Sequence, residues 1–218
     1  MTAGTGLPGT LVVEVLTEAL PGAGPQGDTI DQCCERDSDG LPYLNGGRVR
    51  ACLRAAALAR AHLWDEAALR AALEVLPPEG ALEPGVVAGF TARVRDPERS
   101  ALLAALRHDS LTSARVLRML TVDRARTAVD RHGGPLRGSL RTERRVRPAV
   151  VFVATLRWSG RATERHGTVL ARAALAWRQV GAGECDGLGR IRAHLDDRDT
   201  TLALARRTID CPGEEQPW

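Results

Sequence analysis

The chain has 218 residues, with 30 Lys or Arg against 27 Asp or Glu, and its formal charge of +3 predicts neither nucleic-acid nor membrane affinity by itself. Every basic residue is arginine, which excludes a lysine nucleophile, a Schiff base and a phosphate-loop lysine, and with them pyridoxal enzymes and P-loop NTPases. An aromatic content of only 3% within 44% hydrophobic residues leaves the core to Leu, Val and Ala in an ordinary globular chain.

Residues 11–18 (LVVEVLTE) alternate apolar and polar side chains and predict a half-buried strand. Residues 21–42 are rich in Gly, Pro and Asp and fit neither a helix nor a buried strand. A connection of that length is uncommon, and such loops are usually functional or disordered. After Asn45-Gly46-Gly47, Val49, Leu53, Ala57 and Leu58 fall at helical spacing, and residues 65–76 continue the pattern up to Pro77-Pro78. Residues 79–114 are weakly patterned, so that about 65–114 reads as an insertion between core elements. From Ser113 the period shifts towards two, and about 121–147 reads as a long basic hairpin turning at Arg131-His132-Gly133-Gly134. Residues 148–158 (PAVVFVATLRW) form the best strand, with an apolar start suited to a central position. Residues 163–180 predict a helix with Val169, Leu170, Ala173, Ala174 and Trp177 on one face. A Gly-rich loop follows at 181–189, then two strand candidates, RIRAHL and TLALARRTI. This order predicts an α+β fold with a ferredoxin-like (RRM-like) βαββαβ core, one domain over 1–218 carrying insertions and a long basic hairpin.

The net charge conceals two opposite segments. Residues 1–47 hold one arginine, Arg36, against seven acids, whereas residues 115–147 hold ten arginines against three acids. The second is a candidate polyanion surface, and the acidic loop 19–45 suits holding a metal or positioning a carboxylate. The alternative is that the two neutralise each other in the fold. Cysteines 33, 34, 52, 185 and 211 are odd in number and give neither a disulfide framework nor zinc spacing. Histidines 62, 108, 132, 166 and 194 also lack ligand spacing and read as solvated or satisfied. No apolar run approaches the roughly 18 to 20 residues of a membrane span, and the N-terminus lacks a leader pattern. The expectation is a cytoplasmic protein without a membrane partner.

Three segments together carry a family resemblance. The first is Ile30-Asp31-Gln32-Cys33-Cys34-Glu35-Arg36-Asp37 with Gly40-Leu41-Pro42-Tyr43-Leu44-Asn45-Gly46-Gly47-Arg48 and the helix opening Val49-Arg50-Ala51-Cys52-Leu53-Arg54. The second is Val129-Asp130-Arg131-His132-Gly133-Gly134, then Glu143-Arg144-Arg145-Val146-Arg147-Pro148; the third is residues 181–190, Gly181 to Arg190. In order and spacing over about 10–195 they resemble the RAMP superfamily of CRISPR-associated proteins, and within it the backbone subunits of type III effector complexes. The sequence departs from the pattern at Asn45, Gly47 and Arg48, where Pro and Ser-Ser are usual, and at Asp186, where a basic residue is usual.

The resemblance implies a subunit that binds CRISPR RNA, sits beside copies of itself and other effector subunits, and meets target single-stranded RNA. Its guide-RNA contacts would be Gly46, Gly47, Arg48, Arg50 and Arg54 at the helix start, where free amides and the helix dipole form a natural phosphate seat. Gly181, Gly183, Gly187, Gly189 and Arg190 would bring main chain close to the sugar-phosphate backbone. Arg124, Arg126, Arg131 and Arg141 would line a thumb hairpin that wedges between nucleotides, although the segment has no aromatic side chain for base stacking. The resemblance also implies metal-dependent cleavage of the paired target RNA, with Asp31 as catalytic residue and as ligand to Mg²⁺ or another divalent cation. Asp28 is a nearby alternative, and Asp37 reads as structural. A non-catalytic scaffold or capping subunit remains open. So do a guide-precursor endoribonuclease using His62 or His132 and a small-ligand ferredoxin-like enzyme.

Overall fold

The computed structural model describes residues 6–22, 30–128, 130–132 and 134–207. Asp28, Val129, Gly133 and Cys211, all named above, lie outside them. The chain runs through β1 (Thr10–Val15), β2 (Gln32–Cys33), β3 (Tyr43–Leu44), α1 (Gly46–Leu58), α2 (Glu66–Val75), β4 (Val87–Ala88), β5 (Ala92–Val94), α3 (Glu98–Arg107) and α4 (Ser113–Leu120). It continues with β6 (Thr121–Arg126), β7 (Arg141–Val146), β8 (Val151–Thr155), β9 (Arg157–Trp158), α5 (Glu164–Ala176), β10 (Ile191–Leu195) and α6 (Arg198–Ala205). The result is an α+β fold.

A five-stranded sheet in the order β10-β1-β8-β5-β3 carries the core, and every neighbouring pair in it is antiparallel. Alternation decides its faces: Leu11, Val13 and Val15 of β1, Phe152 and Ala154 of β8, and Ile191, Ala193 and Leu195 of β10 are all buried. Val12, Glu14, Val151 and Val153 point the other way and stay half-exposed. The buried face meets α1 through Val49, Leu53 and Ala57 and meets α5, whose residues 166–171 are buried without a break. A helix buried nearly all round lies inside a core, and α5 packs on α1, α2 and α6. Leu58, the fourth apolar position expected on α1, is 53% exposed because it lies one residue off the Val49-Leu53-Ala57 stripe.

A second sheet, β2-β7-β6, joins the basic hairpin to the acidic loop. The hairpin pairs from Thr121↔Val146 to Arg126↔Arg141, and β2 lies parallel to β7 with Gln32 opposite Glu143. Its base is fixed to the core by reciprocal Ala19–Val146 backbone hydrogen bonds of 3.0 and 2.7 Å.

Several local expectations change. Residues 32–33 form a short strand inside the loop expected to hold none: they pair with β7, Cys34 N donating to Arg144 O at 3.2 Å, and Ile30, Cys33 and Cys34 are buried. The stretch 65–114 contributes β5 to the main sheet, where Ala92 and Val94 complete the apolar face. Residues 113–120 are helical, since Val116 and Leu120, one turn apart, pack into the same apolar cluster and Thr112 caps the helix at Arg115 N. The last candidate strand is α6, started by Asp197 Oδ1 accepting from Thr200 N at 2.7 Å. Among the described residues no helix is long and apolar enough to cross a membrane.

Candidate nucleic-acid interface

Residues 16–22, just after β1, are where the motifs meet. Glu18 O accepts from Gly189 N at 2.7 Å and Leu20 O from Ala182 N at 3.0 Å, which ties down the Gly-rich loop. Gly22 O accepts from Arg48 Nη1 at 2.8 Å, which ties down the start of α1. With Ala19 on Val146, one short segment thus holds the loop, the helix start and the hairpin. The strand expected over 11–18 ends at Val15, so residues 16–18 join the start of the expected acidic loop in this role, which local pattern did not reveal.

At the helix start, Asn45 Oδ1 accepts from Gly47 N at 2.9 Å and from Arg48 N at 3.4 Å. These are two of the amides expected to seat a phosphate, so the helix is capped from within, a role proline at position 45 could not take. Gly46 is demanded by packing: a Cβ there would stand 2.7 Å from Thr91 Oγ1 and 2.8 Å from Thr91 N. Arg48 also pairs with Glu35 at 3.3 Å, and Arg54 donates to Pro77 O at 2.7 Å. Both therefore hold the fold together in this state. Arg50 is half-exposed and lines a cleft of about 300 Å³ with Arg54, Pro77 and Pro78.

In the Gly-rich loop, Gly181, Gly183, Gly187 and Gly189 all have positive φ, between 69° and 88°. A Cβ on Gly181 would run into the Leu20 carbonyl, and one on Gly189 into the Val180 carbonyl. Close approach to the protein's own backbone thus accounts for two of the glycines proposed for RNA. Arg190 is exposed, with its amide bonded to Thr17 Oγ1 at 3.0 Å.

Alternation on the hairpin gathers Arg124 and Arg126 with their cross-strand neighbours Glu143 and Arg141 on one face, together with Arg145. Carboxylates bind most of these arginines. Arg124 holds Glu18 through both side-chain nitrogens facing it, Arg145 reaches Glu18 at 3.2 Å and Glu143 at 2.6 Å, and Arg126 reaches Asp186 at 2.6 Å and Glu143 at 3.7 Å. The hydrogen bond from Arg124 holds the Glu18 carboxyl below its ordinary value. On the opposite face Arg144 grips Asp123 bidentately at 2.7 and 2.8 Å and lowers its pKa. Arg141 stays exposed at the distal end of β7, and Arg131 at the tip donates to His132 Nε2 at 3.0 Å. Arg124, Arg126, Arg144 and Arg145 are therefore engaged by carboxylates, and among the described acids of residues 1–47 Glu18 is the one that pairs with arginines of the basic segment.

No family model and no curated protein matches the chain. Among solved structures, a chain of the type III-B Cmr-beta complex in its apo state aligns with TM-score 0.66 at 11% identity, over 88% of this chain and 98% of that one. A chain of the type III-B Cmr-beta complex bound to cognate target RNA aligns with TM-score 0.62 at 11% identity, over 90% and 98%. The fold is similar to that of type III-B Cmr-beta chains. At such identity the likeness is one of backbone architecture, and it spans nearly the whole of those chains.

Asp31, the candidate catalytic residue and metal ligand, lies exposed beside the hairpin. Its amide donates to Thr142 O at 2.9 Å, and its Oδ2 accepts from Thr142 N at 2.7 Å. One carboxylate oxygen thus anchors the acidic loop to β7. Among the described residues no group of three or more His, Cys, Asp or Glu is placed to hold a metal. With Oδ2 taken by Thr142 N, Asp31 has one free carboxylate oxygen, so a divalent cation held there would draw its remaining ligands from RNA phosphates and water. Asp37 is turned inward, accepting from Leu41 N at 3.1 Å and from Arg99 Nη1 at 2.7 Å, and closes its own loop.

Proposed function

We propose that the chain is an RNA-binding backbone subunit of a type III CRISPR effector complex, set beside copies of itself and other effector subunits and holding CRISPR RNA against target RNA. The observation that carries this reading is the shared fold with Cmr-beta chains, one of them from a complex bound to target RNA. The strand order β10-β1-β8-β5, with α1 and α2 in one crossover and α5 in the other, supports a ferredoxin-like (RRM-like) core. In the same reading β6 and β7 are the thumb, and Arg124, Arg126, Arg131 and Arg141 are its phosphate contacts. Arg50 and Arg190 would add contacts from the helix and the Gly-rich loop. Sequence-independent contacts of this kind suit a protein that coats any guide.

Cleavage of the target RNA, in this reading, belongs to Asp31. With Oδ2 fixed by Thr142 N, the other oxygen remains to accept the proton of a target 2′-hydroxyl. The 2′-oxygen then attacks the adjacent phosphorus as the 5′-oxygen leaves and takes a proton from solvent, which yields a cyclic phosphate end. The second reading, a scaffold without catalysis, is favoured by that same hydrogen bond, because it gives Asp31 a structural role.

Asp31→Asn separates the two readings, since the amide oxygen keeps the bond to Thr142 while the base is lost. The assay is the assembled complex with guide and labelled complementary RNA. Asp31→Asn should bind target as the natural chain does and lose cleavage by about a hundredfold, the usual worth of a general base. Undiminished cutting by Asp31→Asn would remove Asp31 from the chemistry. Repeating the assay in EDTA reads the divalent-cation expectation, which loss of cutting followed by recovery with Mg²⁺ supports.

A further inference from the structure

Asp186 stands out because it places an acid on the loop proposed to approach RNA. It is not idle there: Asp186 Oδ2 accepts from Arg126 Nη2 at 2.6 Å, closing the Gly-rich loop onto the hairpin sixty positions away in sequence. The next arginine on the same face, Arg124, is held by Glu18, which also takes Arg145. Glu143 lies between, and links Arg126 to Arg145. An unbroken line of alternating charge, Arg124–Glu18–Arg145–Glu143–Arg126–Asp186, therefore runs from the hairpin to the loop.

The members differ in accessibility. The Arg145 and Glu143 side chains are 9% exposed each, which makes them part of the fold. Arg126 is 42% exposed and Asp186 51%, so this pair lies in solvent, where an ion pair is weak and exchangeable. The two non-bridging oxygens of a phosphodiester offer a guanidinium a bidentate acceptor, as the two oxygens of a carboxylate do.

We infer that Asp186 is an internal stand-in for an RNA phosphate: it holds Arg126 when no RNA is bound and is displaced when a phosphate of single-stranded RNA takes its place. This rests on the RNA-binding reading and adds a regulation of that site. Asp186 lowers the affinity of the free chain and keeps the hairpin arginine from collecting unrelated polyanions weakly. It also tempers the salt response. Salt weakens each phosphate contact but equally weakens the internal pair that has to open, so the two effects partly cancel.

The test is filter binding of labelled single-stranded RNA to the full chain across a salt series. Asp186→Asn should tighten binding about two- to fivefold at low salt, the worth of one exposed pair. It should also steepen the slope of log affinity against log salt. Asp109→Asn is the control, since it removes the same charge from an exposed turn with left-handed backbone that asparagine tolerates. Arg126→Gln supplies the second arm: its cost in affinity should be larger in the Asp186→Asn background than in the natural chain. If Asp186→Asn behaves like Asp109→Asn, or the Arg126 and Asp186 changes simply add, the exchange is overturned while RNA binding stands. If neither the natural chain nor Asp186→Asn binds RNA, the RNA reading falls and takes this inference with it.

Discussion

Gly181 and Gly189 are where the Gly-rich loop has least freedom, since both have positive φ and both face a carbonyl of the chain itself. Gly187 has the same kind of backbone but open space around its Cα. Gly187→Ala should therefore cost only the left-handed conformation, about 1 kcal/mol, whereas Gly189→Ala adds a collision with Val180 and should cost several times as much. Urea denaturation of the two variants, at equal slopes, reads the difference. Sequence composition revealed that the loop needs glycine. It could not say that the protein's own backbone, at Leu20 and Val180, makes the close approach. The same holds for the adjacent thiols: adjacency suggested no disulfide, and burial then pushes Cys34 up to about 12, which leaves it inert.

The elements that periodicity marked strongly, β1, α1, β8 and α5, form where expected because their apolar stripes match the buried faces. The weaker segments went to whichever structure buried their few apolar side chains. Residues 198–205 became helix because Leu204 and the capped turn at Asp197 fit the surface of α5. The start of α1 illustrates a departure that turned out useful. Asn45, standing where the family pattern has proline, caps the helix through its side chain. Asn45→Ala should lower stability by about 1 kcal/mol, within the roughly 0.5–2 kcal/mol range for lost caps, while Asn45→Asp should cost far less. Thermal melting of the two variants checks this, and an equal loss for both would mean the cap bond contributes little.

Across the whole molecule, charge pairing reinforces what the apolar core begins: Val146 seats the base of the hairpin in the core, and Glu18 adds ion pairs to Arg124 and Arg145 farther along it. Glu18 and Asp123 are both held below their ordinary values by arginine hydrogen bonds, so their contribution is present above the unfolded values and lost as pH falls through the lowered ones. Thermal stability should be flat near neutrality and fall below about pH 4.5, and Glu18→Gln should lower the plateau and shrink that fall. Melting from pH 7 to pH 3 reads both, and an unchanged acid limb in Glu18→Gln would detach the network from stability. The two oppositely charged segments were legible in the sequence, because charge sums need no coordinates. Where they meet was not, because Glu18 reaches Arg124 and Arg145 only through long-range packing, as does Asp186, an acid of neither segment, in reaching Arg126. By itself the sequence determined the α+β class, the strong elements and the three motifs, all of which depend on local pattern. Only the tertiary structure decided which arginines are engaged by carboxylates and that Asp31 is bound to the hairpin. Those facts depend on which distant segments the core brings within hydrogen-bonding distance.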